Sequence, residues 1–264
     1  MTVFASDMDG TFLNDQGGFD EPLVQQLLDQ MKTNGDHLVV ASSNHYEHLQ
    51  QLFANVIGPI SYVSNNGAHV VNETGQSISQ QLLPTKLWHE IVRWLTTTYP
   101  QAAIIVVTTD QTFSNQPKDS NRLLAARYFY ANLQAADLMT IDQPAYKLDV
   151  TWPEADVFEY KQAILNQFGD QVEAVMSGMN GIDIMLPGIS KLAGIQRLLD
   201  NWQLTVDQLV AFGGDNDNDY AMLAAAKQGW AMKNAAPNLL TRISQVTPLD
   251  NDHGGVQHII QHLL

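Results

Sequence analysis

Strands alternate with helices at both ends of this chain, and a long central segment breaks the alternation; no other feature narrows the possible folds as far. Residues 2–6 are a short β-branched and apolar run ended by Asp and Gly. Asp20, Glu21 and Pro22 then open an amphipathic helix with Leu23, Leu27, Leu28 and Met31 on one stripe. Asp20 caps it, Pro22 sits in its first turn and Gly35 closes it. A strand over 37–41, a helix over 44–55 and a strand over 60–64 follow, so a parallel sheet wound by helices is expected. From about residue 80 the order is mixed. It runs through a helix over 85–99, a strand over 102–109, a polar loop through Asn115 and Pro117, a helix from Asn121, a strand over 146–151, a helix after Pro153 and two strands around Gly178 and Gly181. After Pro187 the rhythm resumes with a helix over 191–202, a strand over 209–213, a helix from Asn218, a strand over 229–232, a helix from Pro237 and a last helix near His253. The expected fold class is α/β. A doubly wound parallel-sheet core over residues 1–82 and 187–264 carries an α/β domain inserted over 83–186.

Charge and composition exclude several functions. The chain has 13 Lys and Arg against 28 Asp and Glu, a formal net charge of −15, so neither nucleic acid nor an anionic membrane surface is an expected partner. With 45% apolar residues it can fill a sizeable core. No apolar run approaches the roughly 18 residues of a membrane span, and Val3-Phe4-Ala5 runs directly into Asp7 and Asp9 rather than into a signal-peptide layout. A cytoplasmic location is expected, and nothing in the pattern calls for an obligate protein partner. Because the chain has no Cys, thiolate metal sites and Cys nucleophiles are excluded, and any metal must be held by oxygen or imidazole.

Three polar clusters each follow a predicted core strand: Asp7-Met8-Asp9-Gly10-Thr11, Ser42-Ser43-Asn44, and the run from Gly213 to Asp219. In an open α/β sheet, ligands bind beyond the carboxyl ends of the strands, so these clusters would converge on one crevice, within reach of Lys191 at a helix start. Asp7 and Asp9, two apart at a strand end, would crowd two carboxylates together. A hard divalent cation such as Mg²⁺ would relieve that repulsion, although Asp-Gly also makes an ordinary turn. Asp215, Asp217 and Asp219 alternate like a calcium loop, but Tyr220 and Ala226 stand where that loop needs Gly and Glu. The alternative reading of residues 216–219 is as caps of the next helix. Ser42 and Ser43 could face an anion at a helix N-terminus or merely cap the helix. Lys191 is either a solvated helix lysine or one of few core cations able to meet a phosphate. No phosphate loop or dinucleotide fingerprint is present. His45 and His48 read as surface residues.

These residues carry a resemblance. Asp7-Met8-Asp9-Gly10-Thr11 resembles the first signature of the haloacid dehalogenase superfamily, Val40-Ala41-Ser42-Ser43-Asn44 its second, Lys191 its third, and Gly214-Asp215 with Asn218-Asp219 its fourth. The insertion, with Asn66-Gly67-Ala68 and Ile182-Asp183-Ile184-Met185, is similar to the Cof-type subclass IIB phosphatases, whose cap covers the site. The resemblance implies a Rossmann-like core and a Mg²⁺-dependent phosphatase acting on small phosphorylated metabolites, with sugar phosphates expected. It implies Asp7 as nucleophile and Asp9 as general acid and base. It further implies Asp7, the Asp9 carbonyl and Asp215 as metal ligands with Asp219 in support, and Ser42, Ser43, Lys191 and Asn218 as phosphate-binding residues. Ser43, Leu192 and Lys233 depart from the family pattern, which often has Gly at these places. A phosphomutase of the same superfamily and a receiver-like phosphate-sensing module are the alternatives. Specificity would rest on cap residues such as Asn115, Lys118, Arg122, Ser177, Met179 and Asn180.

Overall fold

In the computed structural model, which describes residues 1–153, 156–177, 180–214 and 216–264, the first strand, β1 (Val3–Ser6), is buried at every position. Such a strand needs neighbours at both edges and cover on both faces. It pairs in parallel with β2 (His37–Ala41), reached through α1 (Glu21–Asn34). Asp20 caps α1 by accepting a hydrogen bond from the Leu23 amide, and Gly35 ends it. After α2 (Tyr46–Leu52), β3 (Ile60–Ser64) joins β2 in parallel. Next, β4 (His69–Val71) turns back antiparallel to β3, and β5 (Ser77–Gln80) lies at the edge of the sheet. The alternation pattern does not predict β4 and β5, because both are too short to show a period.

The chain forms two compact units, Met1–Ser79 with Ser190–Leu264 and Gln80–Ile189. The second contains α3 (Thr85–Thr98), β6 (Ala103–Thr108), β7 (Thr112–Ser114), α4 (Asn121–Ala126), β8 (Leu133–Ala135), β9 (Ala145–Thr151), α5 (Phe158–Phe168), β10 (Glu173–Ser177) and β11 (Gly181–Met185). Its strands form one mixed sheet in the order β10-β11-β9-β6-β7-β8. Trp88, Ile91, Val92 and Leu95 make the buried stripe of α3 and pack with Ile104, Val106, Leu148, Val150, Ile182 and Ile184 from one sheet face. Strand alternation puts Lys147, Asp149 and Asp183 on the other face. β7 lies within the stretch expected to be a polar loop. Asn115 supports that hairpin, its side chain accepting from the Ile104 amide at 2.9 Å and donating to the Ala102 carbonyl at 3.2 Å.

The first unit is completed by α6 (Lys191–Trp202), β12 (Leu209–Gly213), α7 (Asn216–Ala225), β13 (Gln228–Ala231), α8 (Pro237–Leu240), β14 (Gln245–Val246) and α9 (Gly255–Leu263). β12 pairs in parallel with the free edge of β1, giving the order β14-β13-β12-β1-β2-β3-β4-β5. The chain builds from β1 toward β3 first and returns on the other side after the insertion. The sheet order therefore reverses beside β1, and the crevice of an open α/β sheet forms at such a reversal. The ends of β1, β2 and β12 there carry Asp7, Ser42 and Gly214. Among the described residues, no helix is long and apolar enough to cross a membrane.

Candidate active site

Asp7 leaves β1 with its amide still bonded to the Phe212 carbonyl of β12, 3.1 Å away. The chain then turns sharply, with Gly10 at φ 68°, a left-handed conformation that suits glycine. This turn brings the Thr11 hydroxyl back to donate to Asp7 Oδ2 at 3.0 Å. The Gly10 carbonyl is held from the other side by the Asn234 side chain at 2.8 Å.

Lys191 reaches the same carboxylate from α6. It is the first residue of that helix, whose cap Ser190 accepts from the Ala193 amide. The helix start lies unusually close to the turn after β3: a Cβ on Gly67 would fall 2.2 Å from the Ser190 carbonyl oxygen, and one on Gly194 2.4 Å from Val63 Cγ1. Only glycine at both positions permits that approach. The Lys191 ammonium, 3% exposed, donates to Asp7 Oδ1 at 2.6 Å and to Asp219 Oδ1 at 2.7 Å. Asp219 is fully buried, and its second oxygen accepts from the Gly214 amide at 2.9 Å. It therefore faces back to the end of β12 instead of merely capping α7. Burial alone would lower the Lys191 pKa, but the charges of Asp219 and Asp7 outweigh it and hold the ammonium above its ordinary value.

The second polar cluster is pinned from beneath. Ser42 is buried, and its hydroxyl accepts from the Asn44 amide at 3.0 Å. The left-handed turn at Asn65 and Asn66 ties this loop down, the Asn66 amide donating to the Ser42 carbonyl and the Asn65 amide to the Asn44 carbonyl. The Asn44 side chain then donates to Asp9 Oδ2 at 2.8 Å. Although Asp9 is an exposed residue, its carboxyl is drawn out of water toward Asn44. That desolvation, followed by the charge of Asp7, raises its pKa against the opposing effects of Asn44 and Lys191.

The structure thus gathers Asp7, Lys191 and Asp219 by direct contact and ties Asp9 to the Ser42 loop through Asn44. Asn218 is half-buried in the first turn of α7, and Ser43 is half-buried beside Ser42. Asp215 lies outside the described residues. The Ser42 loop departs from expectation in one respect: α2 begins only at Tyr46, so Ser42 and Ser43 lie ahead of the helix and do not cap it. The surface reading of His45 and His48 is corrected, because His48 is buried on the inner face of α2 and His45 is half-buried, with an ion-pair contact to Glu47. Lys233 and Lys118 are exposed, and Leu192 is half-buried. Among the other cap residues, Arg122 donates to the Trp152 carbonyl at 3.2 Å, and the Asn180 carbonyl accepts from the Trp152 amide. Ser177 ends β10, and Met179 lies outside the described residues. Thr11, Asn44 and Asn234 are contributors that motif reading did not assign. The first two stand inside the polar clusters, which was the available signal.

The donor set at the strand ends suits a hard cation. Asp7, Asp9 and Asp219 bring three carboxylates against the single charge of Lys191, and every candidate ligand atom is oxygen. Among the described residues, no three His, Asp or Glu side chains form a metal cluster. Asp215, the acid expected to complete such a set, falls outside them.

Known proteins resemble this chain over nearly its whole length. The model of a family described as haloacid dehalogenase-like hydrolase matches residues 4–260. The 5-amino-6-(5-phospho-D-ribitylamino)uracil phosphatase of Escherichia coli K12 is 28% identical over 263 residues, covering 99% of this chain and 96% of its own length. The HMP-PP phosphatase of Yersinia enterocolitica is 29% identical over 270 residues, covering 98% of this chain and 94% of its own length. A crystal structure from Streptococcus mutans UA159 superposes with a TM-score of 0.91 at 29% identity, covering 100% of this chain and 98% of its own.

Proposed function

The chain belongs to the haloacid dehalogenase-like hydrolases, of the Cof type, and is a phosphoric monoester hydrolase; from that premise we propose a Mg²⁺-dependent enzyme that cleaves small phosphate monoesters, sugar phosphates among them, through an aspartyl-phosphate. The observation that carries this reading is the buried ammonium of Lys191 shared between Asp7 and Asp219 at the sheet's switch point. The relatives named above support the substrate class, since their names specify phosphorylated small molecules.

The residues act as follows. An Asp7 carboxylate oxygen attacks phosphorus as the ester oxygen leaves, forming the acyl phosphate. Asp9, oriented by Asn44, gives its proton to the departing alkoxide and later takes one from the water that attacks the phosphoryl group. Inorganic phosphate departs, and Asp7 is restored as a carboxylate. Lys191 holds Asp7 in place and offsets the charge of the transferring phosphoryl group, while Thr11 fixes the second Asp7 oxygen. Ser42, Ser43 and Asn218 contribute phosphoryl-oxygen contacts. Bound by Asp7, the Asp9 carbonyl and Asp215, with Asp219 in support, Mg²⁺ would supply further charge neutralisation for the phosphoryl oxygens. The cytoplasm is the proposed compartment.

The test is inorganic-phosphate release from a panel of phosphorylated metabolites with Mg²⁺ present, by the wild-type protein and by Asp7→Asn. Release by the first and none by the second is expected. Full release by Asp7→Asn overturns the nucleophile assignment, and phosphoryl transfer to a sugar in place of water overturns hydrolysis.

A further inference from the structure

The turn that carries Asp7 and Asp9 closes at its base through two backbone bonds. The Phe12 amide donates to the Asp7 carbonyl at 3.3 Å, and the Leu13 amide to the Met8 carbonyl at 3.0 Å. The carbonyls of those same two residues are each gripped by an amide side chain from the far end of the chain. Gln257 Nε2 donates to the Phe12 carbonyl at 3.0 Å. Asn251 Nδ2 donates to the Leu13 carbonyl at 3.1 Å and to Asp15 Oδ1 at 3.0 Å. Asn251 is 7% exposed and Gln257 3%, so water competes poorly for these bonds. The Asn251 backbone amide donates to Asn234 Oδ1 at 3.2 Å, which turns Asn234 Nδ2 toward the Gly10 carbonyl.

Two glycines shape the gripping segment. Gly254, the cap residue of α9, is left-handed at φ 70°. A Cβ on Gly255 would fall 2.2 Å from the Leu249 carbonyl oxygen, so the loop ahead of α9 folds back tightly onto the helix start. Asn251 in that loop and Gln257 in the helix thereby reach consecutive residues of the turn's base. Hydrogen bonds weaken steeply off line, so three amides on three carbonyls fix the turn's orientation as well as its distance.

Asp7 has supports of its own, its amide on β12 and its carboxylate on Lys191 and Thr11. Asp9 lies two residues farther along and joins the Ser42 loop through Asn44. Its carboxyl therefore depends on the shape of the turn more than that of Asp7 does. Small misplacements of a reacting group are costly in rate. We propose that Asn251, Gln257 and Asn234 are positioning residues, which hold the turn so that the Asp9 proton meets the oxygen leaving phosphorus. This role rests on the acid function proposed above for Asp9.

The test compares kcat/KM, with Mg²⁺ present, for the fastest alkyl phosphate of the metabolite panel and for 2,4-dinitrophenyl phosphate, whose phenolate leaves without a proton. Because kcat/KM covers steps only up to the acyl phosphate, the later base work of Asp9 does not enter. Asp9→Asn sets the scale and is expected to lower the alkyl-to-aryl ratio by about a hundredfold or more. Asn251→Leu and Gln257→Leu are expected to lower that ratio by about fivefold or more, through kcat rather than KM. Amide hydrogen exchange at Phe12 and Leu13 should quicken in both variants relative to Val39 of β2. Asn234 is exposed, so Asn234→Ala carries the ratio test if neither buried variant folds. An unchanged ratio in the folded variants, beside a lowered one in Asp9→Asn, overturns the positioning role alone. An unchanged ratio in Asp9→Asn overturns the acid assignment and the positioning role with it. Equal losses on both esters, a loss confined to KM, or unchanged exchange at Phe12 and Leu13 in Asn251→Leu and Gln257→Leu would mean ties that hold structure only, and also overturns the proposal.

Discussion

Two buried lysines, one in each unit, meet carboxylates in different ways: one ammonium takes both oxygens of a single Asp, and the other bridges two Asp side chains. Lys147 on β9 faces the Asp183 carboxylate of neighbouring β11 with both oxygens in reach, at 3.0 and 2.9 Å, and both residues are at most 2% exposed. Asp149, directly opposite Asp183 in the strand register, takes the Tyr130 hydroxyl at 2.8 Å instead. Lys191 divides one ammonium between two carboxylates, and the chain places a third, Asp9, beside them. A cation held by both oxygens of a buried carboxylate within a sheet face holds structure. A cation outnumbered at strand ends by Asp7, Asp219 and Asp9 leaves negative charge available for a metal and for attack on phosphorus.

The comparison breaks most decisively at Asp7. Asp7→Asn should lower phosphate release by about 10⁴-fold or more, and a chelator should do the same reversibly on Mg²⁺ addition, both read in the phosphate assay; its melting temperature should fall little. Lys147→Met should show the converse. Leaving Asp183 buried and unmatched should cost about 3–5 kcal/mol in urea unfolding, and Lys147→Met with Asp183→Leu should recover most of that. If the single variant instead lost turnover while keeping its stability, Lys147 would belong with the reaction centre and the contrast would fail.

A smaller effect concerns His69 on β4, buried beside α2. Burial first, and then the charge of His45, depress its pKa to about 4, with Glu47 opposing. Its folded pKa lies below the unfolded value of 6.5, so its stabilising contribution is complete above pH 6.5. That contribution is lost as pH falls from 6.5 toward 4 and amounts to at most about 3 kcal/mol. Urea midpoints across that window should fall less steeply in His69→Gln than in wild type; identical slopes would show that His69 is not the group responsible. Gly194→Ala should give the smallest change, about 1–3 kcal/mol, by forcing α6 away from Val63. Turnover should drop with it if the position of Lys191 depends on that close approach, whereas unchanged turnover would separate the packing from the chemistry.

Much of this was legible in the sequence. The cap and stop of α1, the bounds of α6 and β12, and the break in strand–helix alternation all follow from local patterns that tertiary packing then reinforced. The polar clusters at the ends of β1, β2 and β12 were legible for the same reason, since a polar run directly after an apolar strand has few other places to go. Three elements of three or four residues were not legible: β4, β5 and β7 are too short to carry a readable alternation. His48 also escaped, because a histidine on a short helix gives no sign of which face it occupies, and the structure turns it inward. Asn115 looked like a ligand-reaching loop residue but spends its side chain on the backbone of a hairpin.

The sequence by itself determined the alternation of the longer strands and helices and which residues carry acid, amide and ammonium groups at strand and helix ends. Only the tertiary structure decided which of them meet. Asp7 and Lys191 are 184 positions apart and touch because parallel crossovers return β1, β2, β3 and β12 with their carboxyl ends at the same edge. Two glycines then let α6 close to contact distance. The charge states were settled at the same level, since burial and neighbouring charge, neither of which a linear sequence contains, hold Lys191 protonated and raise the pKa of Asp9.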